Sequence, residues 1–264
     1  MAAPTPVARK INREGVVLFG WGRAILLQIA HPLVGAAVGD FSAFDHSAKD
    51  YLRRVNRTVG GMLTLTFGSD AEAAEVIARI NGIHDRVHGT LAEAAGPFPA
   101  GTPYSARDPE LLLWVHVTIL DSIMLAYERL VQPLRPEERD AFCAEAADTP
   151  ERLGVPPAMV PRTYADLQAY LNRTLESGAI VVTPRARQIA AALFSPPFGP
   201  PAMPLAAASR LVTVGLLPDS VRQGYHFTWD AGRERRCRAV MGFIRRARWA
   251  LPPMLREWRM ARAA

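Results

Sequence analysis

Cysteine is scarce: Cys143 and Cys237 are the two in 264 residues. That excludes a disulfide scaffold and a Cys-rich zinc or iron–sulfur site. Strand-like alternation is missing too, apart from the short run Ala179-Ile180-Val181-Val182-Thr183, so nothing builds a sheet. Long apolar runs are interrupted. Residues 24–39 carry Gln28, His31 and Pro32, and residues 111–127 carry His116 and Asp121, which are costly in lipid. Asn12, Arg13 and Glu14 break the only stretch resembling a signal peptide, which leads us to expect a soluble, cytoplasmic protein. There is no Gly-x-Ser-x-Gly elbow, no Gly-x-Gly-x-x-Gly after a strand and no Gly-Lys-Ser/Thr phosphate loop.

What is present is a core-forming composition. Apolar residues make up 49% and charged residues 21%, which suits one folded domain of this length. The net charge of +6 is uneven: residues 233–264 hold ten Arg against two Glu, a net +8, which leaves −2 for the rest. Such a segment suits weak contact with an anionic membrane surface, or is a solvated Arg-rich helix. No turn-helix signature accompanies it, so nucleic acid is not an expected partner.

Helix punctuation recurs along the chain. Residues 1–14 read as a flexible arm, 15–250 as one helical domain and 251–264 as a basic tail. A helix over 16–31 meets Pro32, which ends it or starts a second piece. Ser47 caps another, which ends at Gly68. Ser69-Asp70-Ala71-Glu72 is a capping box opening a helix to about Ala95. Gly96 to Thr102 is loop. Asp108-Pro109 pairs an N-cap with proline at the first helical position and opens a helix to about Val131. Pro136 starts the next, residues 149–162 are proline-rich loop, and Thr163 caps a helix ended by Gly178. Residues 195–204 are a proline-rich connection before the last helices. The fold class is all-α, with about ten helices.

Four of the six histidines draw attention through their apolar surroundings. On a wheel of about 100° per residue, Leu112, Leu113, Ile119, Leu120, Ile123, Tyr127 and Leu130 fall within about 60° of His116, while Thr118, Asp121 and Glu128 face away. His116 therefore points into the core. There it is either a hydrogen-bonded core histidine or a metal ligand. His84 and His88 stand at i and i+4 beside the stripe Ile77, Ile80, Ile83, Val87 and Leu91, a spacing that can hold one metal, although no third ligand is evident. The wheel makes His84 the more buried of the two. His31 closes an apolar segment before Pro32, where it can cap carbonyls or touch a ligand. His46 and His226 lie in polar or terminal contexts.

The segments Arg23-Ala24-Ile25-Leu26-Leu27-Gln28-Ile29-Ala30-His31-Pro32, His84-Asp85-Arg86-Val87-His88-Gly89-Thr90 and Tyr104-Ser105-Ala106-Arg107-Asp108-Pro109 running on to Trp114-Val115-His116 resemble the MpaB/rubber-oxygenase family. Gly215-Leu216-Leu217-Pro218 and Trp229 are similar as well. The resemblance spans about residues 15–250, and Trp-Val-His with its upstream Asp-Pro is its most specific part. It implies a helical fold with a globin-like core holding haem b, and O2-dependent oxidative cleavage of hydrophobic, unsaturated, isoprenoid-like substrates. By motif, His116 matches the proximal iron ligand, and His84 to Thr90 corresponds to the distal side. Rubber-cleaving members use Arg, Lys and Thr there; here His84 and His88 occupy the region and no Lys does.

The expectation is thus a haem b oxygenase. His116 is the metal ligand, His84 and His31 are the catalytic candidates, and Arg23 is a propionate partner beside His88 in the cofactor-binding set. A peroxidase-like or sensing haem protein is one alternative. A cofactor-free helical protein that meets anionic surfaces is another.

Overall fold

Asp108 accepts a hydrogen bond from the Glu110 amide, and Pro109 fills the first turn, where no amide partner is needed. From this cap the chain's longest helix runs to Leu130, and the rest of the fold is arranged around it. The computed structural model describes residues 6–41, 48–195 and 203–263. In chain order the helices are α1 (Val7–Asn12), α2 (Leu18–Ala30), α3 (Pro32–Phe41), α4 (Ala48–Phe67) and α5 (Asp70–His84). Two short strands follow, β1 (His88–Thr90) and β2 (Pro103–Ser105), and then the central helix α6 (Pro109–Leu130). After it come α7 (Pro136–Ala146), α8 (Asp148–Leu153), α9 (Tyr164–Glu176), α10 (Pro184–Leu193) and α11 (Met203–Gly215). The last are α12 (Asp219–Gly224), α13 (Ala231–Ala250), α14 (Pro253–Arg256) and α15 (Arg259–Ala263). Among the described residues ten helices exceed six residues, and the architecture is all-α with one two-stranded sheet.

The core is built on α2 against α6. The two run antiparallel: Trp114 Nε1 donates to the Leu27 carbonyl at 3.3 Å near one end, and Gly20 meets Ser122 and Ala126 near the other. A Cβ at position 20 would overlap the Ser122 carbonyl, and one at position 22 would overlap the Thr213 hydroxyl on α11. The Gly20-Trp21-Gly22 sequence therefore lets α2 lie close to both neighbours. Leu26, Leu27, Leu113, Trp114 and Val117 are almost completely buried between them. By length and hydropathy α6 is apolar enough to cross a membrane, but 78% of that window is buried inside the protein.

Several expectations are corrected. The arm is not free over its described part: α1 packs on α4, α6 and α7, with Ile11 and Asn12 buried. The helix opened by the Ser69–Glu72 capping box ends at His84, not near Ala95. There β1 pairs antiparallel with β2, His88 opposite Ser105. The proline-rich stretch after α7 contains α8, which ends on Gly154 at φ 113°. Residues 179–183 form no strand, although the Val181 amide donates to the Ala30 carbonyl at 2.9 Å. Nor is the C-terminal segment a loose tail. Its Trp258 amide donates to the Arg13 carbonyl, Arg13 pairs with Glu257 at 2.8 Å, and Trp258 and Met260 pack on Val59, Leu63 and Phe67 of α4. The Ser47 cap, His46 and most of the proline-rich connection at 195–204 lie outside the described residues.

Candidate functional site

Buried polar groups on α6 and on the segments around it include two sets. One is a closed network. Arg23, on α2, pairs with Asp121 at 2.6 Å, donates to Ser122 Oγ at 2.7 Å and donates through Nε to the Leu216 carbonyl at 2.7 Å. Asp121 also accepts from Gln168 Nε2 at 2.6 Å. The wheel turned Asp121 and Thr118 away from the apolar stripe, but both are buried, because α2, α9 and α13 also pack on α6.

The other set is the histidines. His116 is buried, and its Nε2 has no hydrogen-bond partner. Desolvation alone pushes its pKa down to about 4, so the imidazole is neutral at pH 7. His31 sits at the joint between α2 and α3, where the chain bends by 106°. It too is buried, with an unpartnered Nδ1. Burial lowers its pKa to about 4 against an opposing pull from Asp108, and its ring lies 5.2 Å from that of Phe98. His84, the last residue of α5, is half-buried, again with Nδ1 unpartnered. Its pKa is lowered by desolvation first and by Arg107 second, with Asp85 opposing.

An unsatisfied buried polar atom costs about 1–3 kcal/mol, and the three imidazoles share this state with Asn12 Oδ1, Trp21 Nε1 and Trp258 Nε1 among others. Arg107 and Asp108 are adjacent in sequence and immediately precede α6. Asp108 acts electrostatically on His31 and Arg107 on His84, so each histidine lies within reach of the start of that helix. His116 lies two turns further in, about 12 Å along the axis. Arg107 ties this end together, donating to Asp85 at 2.7 Å and to Asn81 at 2.6 Å.

Two candidates are not brought into this group. Arg23 has its guanidinium committed to Asp121 and Ser122, about 140° and 240° around α6 from His116. It is a structural cation on the opposite side and not a free partner for a propionate. His88 lies on β1, exposed, and its pairing with Ser105 replaces the helical i, i+4 relation to His84. That removes the two-histidine metal pair. Among the described residues no group of three or more His, Cys, Asp or Glu side chains is placed to hold an ion. The network on Asp121 was missed because a wheel sees one helix, whereas the burial comes from three others. Arg107 was passed over because nothing local marks a surface arginine as a tether.

A single neutral imidazole with a bare, buried nitrogen is a donor for one metal position, and His116 meets that description. Among the described residues the protein around it is helical, with one two-stranded sheet. The family whose model matches residues 8–246 is described as ER-bound oxygenase mpaB/B'/Rubber oxygenase, catalytic domain. The chain belongs to this family, and its fold is therefore that of an oxygenase catalytic domain. No curated protein and no solved structure matches it.

Proposed function

We propose that this chain is a haem b-dependent oxygenase that uses O2 to cleave or oxygenate a hydrophobic, unsaturated, isoprenoid-like substrate. The observation that carries the reading is the unpartnered Nε2 of His116, buried in a protein of an oxygenase family. The donor set fits the group. A haem iron would be held by an imidazole of the chain, and His116 Nε2, neutral at working pH and without a partner, would hold it. Bound haem supplies the activation of dioxygen.

The remaining roles belong to the chain. His116 offers Nε2 to the iron. His31 and His84, neutral at pH 7 by the direction of their shifts, each offer one ring N–H to an oxygen atom or hold a proton in transit. Leu112 and Leu113, beside His116 on α6, are buried and keep water from its nitrogen. Arg23 positions α2 on α6 and takes no direct part.

The test is oxygen uptake by haem-reconstituted protein given a polyunsaturated isoprenoid. Consumption of O2 without added peroxide, with carbonyl products, is expected. Turnover that requires peroxide would replace the oxygenase reading with a peroxidase.

A further inference from the structure

The family match ends at residue 246 within α13, and this helix together with α14 keeps an unusual surface. Phe243 and Trp249 are each 70% exposed, and Met254 and Leu255 on α14 are exposed at 64% and 67%. Large apolar side chains rarely stand in water as a group. They are interleaved with cations, for Arg235, Arg236 and Arg246 are exposed as well. Taking Phe243 as zero on the α13 wheel, Arg236 lies about 20° to one side; Arg246, Arg235 and Trp249 lie about 60°, 80° and 120° to the other. Cys237 and Arg248 occupy the opposite, buried side, where Arg248 pairs with Glu14. Aromatics and guanidinium groups thus share one outward face. Beside it runs a groove of about 260 Å³ lined by Phe19, Phe243, Leu251 and Leu255.

We infer that this face of α13, continued by α14, docks the protein on an anionic lipid surface. Apolar side chains reach the acyl boundary while arginines between them meet phosphate, the pattern of an interfacial helix. The charge distribution favours that orientation, since residues 233–264 carry +8 and the remainder −2. A second copy of the chain is a poorer occupant, because it would set the same arginines against one another. A nucleic acid would use the arginines but gain nothing from Met254 and Leu255. The inference does not depend on the haem reading.

The full chain is sedimented with vesicles of phosphatidylcholine mixed with phosphatidylglycerol, and with phosphatidylcholine alone. Binding to the mixed vesicles only, weakened by added salt, is expected. The Arg235→Glu/Arg236→Glu/Arg246→Glu variant should lose about a hundredfold in partitioning. The Phe243→Ser/Trp249→Ser variant should lose about tenfold or more. All five positions are exposed, and thermal melts check that the variants fold. For the wild-type chain, quenching of tryptophan fluorescence by brominated lipid reads insertion even if a variant fails. Equal binding to neutral vesicles, binding unchanged in both variants, or no quenching overturns the inference. So does duplex DNA bound more tightly than the mixed vesicles, or a dimer in solution that the Phe243/Trp249 variant dissolves.

Discussion

Asp121 and His116 stand five positions apart on one helix, both buried, and they have opposite fates. Asp121 receives Arg23 and Gln168, each at 2.6 Å, so its charge is answered on every side. His116 keeps a ring nitrogen with no partner at all. A protein that can satisfy one buried group so fully gains nothing in stability from leaving another bare. The contrast separates the polar residues that hold α2 to α6 from an imidazole nitrogen that holds nothing.

The comparison can be broken first at its satisfied end. Asp121→Ala leaves the Arg23 guanidinium buried and unpaired, and should cost about 3–5 kcal/mol in urea unfolding. Little or no loss would mean that Arg23 finds water, and that the network is not structural.

Acid probes the other end. His116 and His31 have folded pKa values near 4, below the 6.5 of a free imidazole. The unfolded chain therefore binds more protons between those values. Stability is fully present above about pH 6.5 and falls as the pH drops toward 4, by on the order of 3 kcal/mol per histidine in the ligand-free protein. A flat stability profile across that window in chemical denaturation would show that these imidazoles are solvated.

Gly20→Ala should cost about 1–3 kcal/mol, because the added methyl meets the Ser122 carbonyl and α2 must move off α6. A melt equal to wild type would show that this contact is looser than described. Smallest and opposite in sign is His116→Leu. Without ligand it should stabilise the fold by about 1 kcal/mol, since it removes an unsatisfied buried nitrogen from an apolar site. Destabilisation of several kcal/mol would make His116 an ordinary core residue.

Much of this was legible in the residues. Ser69–Glu72, Asp108-Pro109 and Thr163 each mark a helix start by a local hydrogen bond, and each of those caps is present. The burial of His116 followed from the apolar stripe around it. What was not legible depends on partners distant in sequence. No glycine or proline stands among Asp85, Arg86 and Val87, the residues that follow α5. It is set by Arg107 holding Asn81 and Asp85, and by the pairing of His88 with Ser105. Periodicity carried the helix past that point and put His88 on the wrong element. The inward turn of Asp121 needed Arg23 from another helix, and a single-helix wheel assigns a lone charge to water. The N-terminal segment looked loose because six residues make a weak helix alone, yet Ile11 and Asn12 are buried by contacts on α4, α6 and α7.

The central claim is that the bare nitrogen of His116 exists to hold an iron porphyrin. Titrating haem into the ligand-free protein and following the visible spectrum tests it, with His116→Leu beside the wild type under the same conditions. The account predicts a saturable Soret band for the wild type and none for the variant, while the variant remains folded and melts at or above the wild-type temperature. A variant that takes up haem as the wild type does, or a wild type that takes up none, would contradict it.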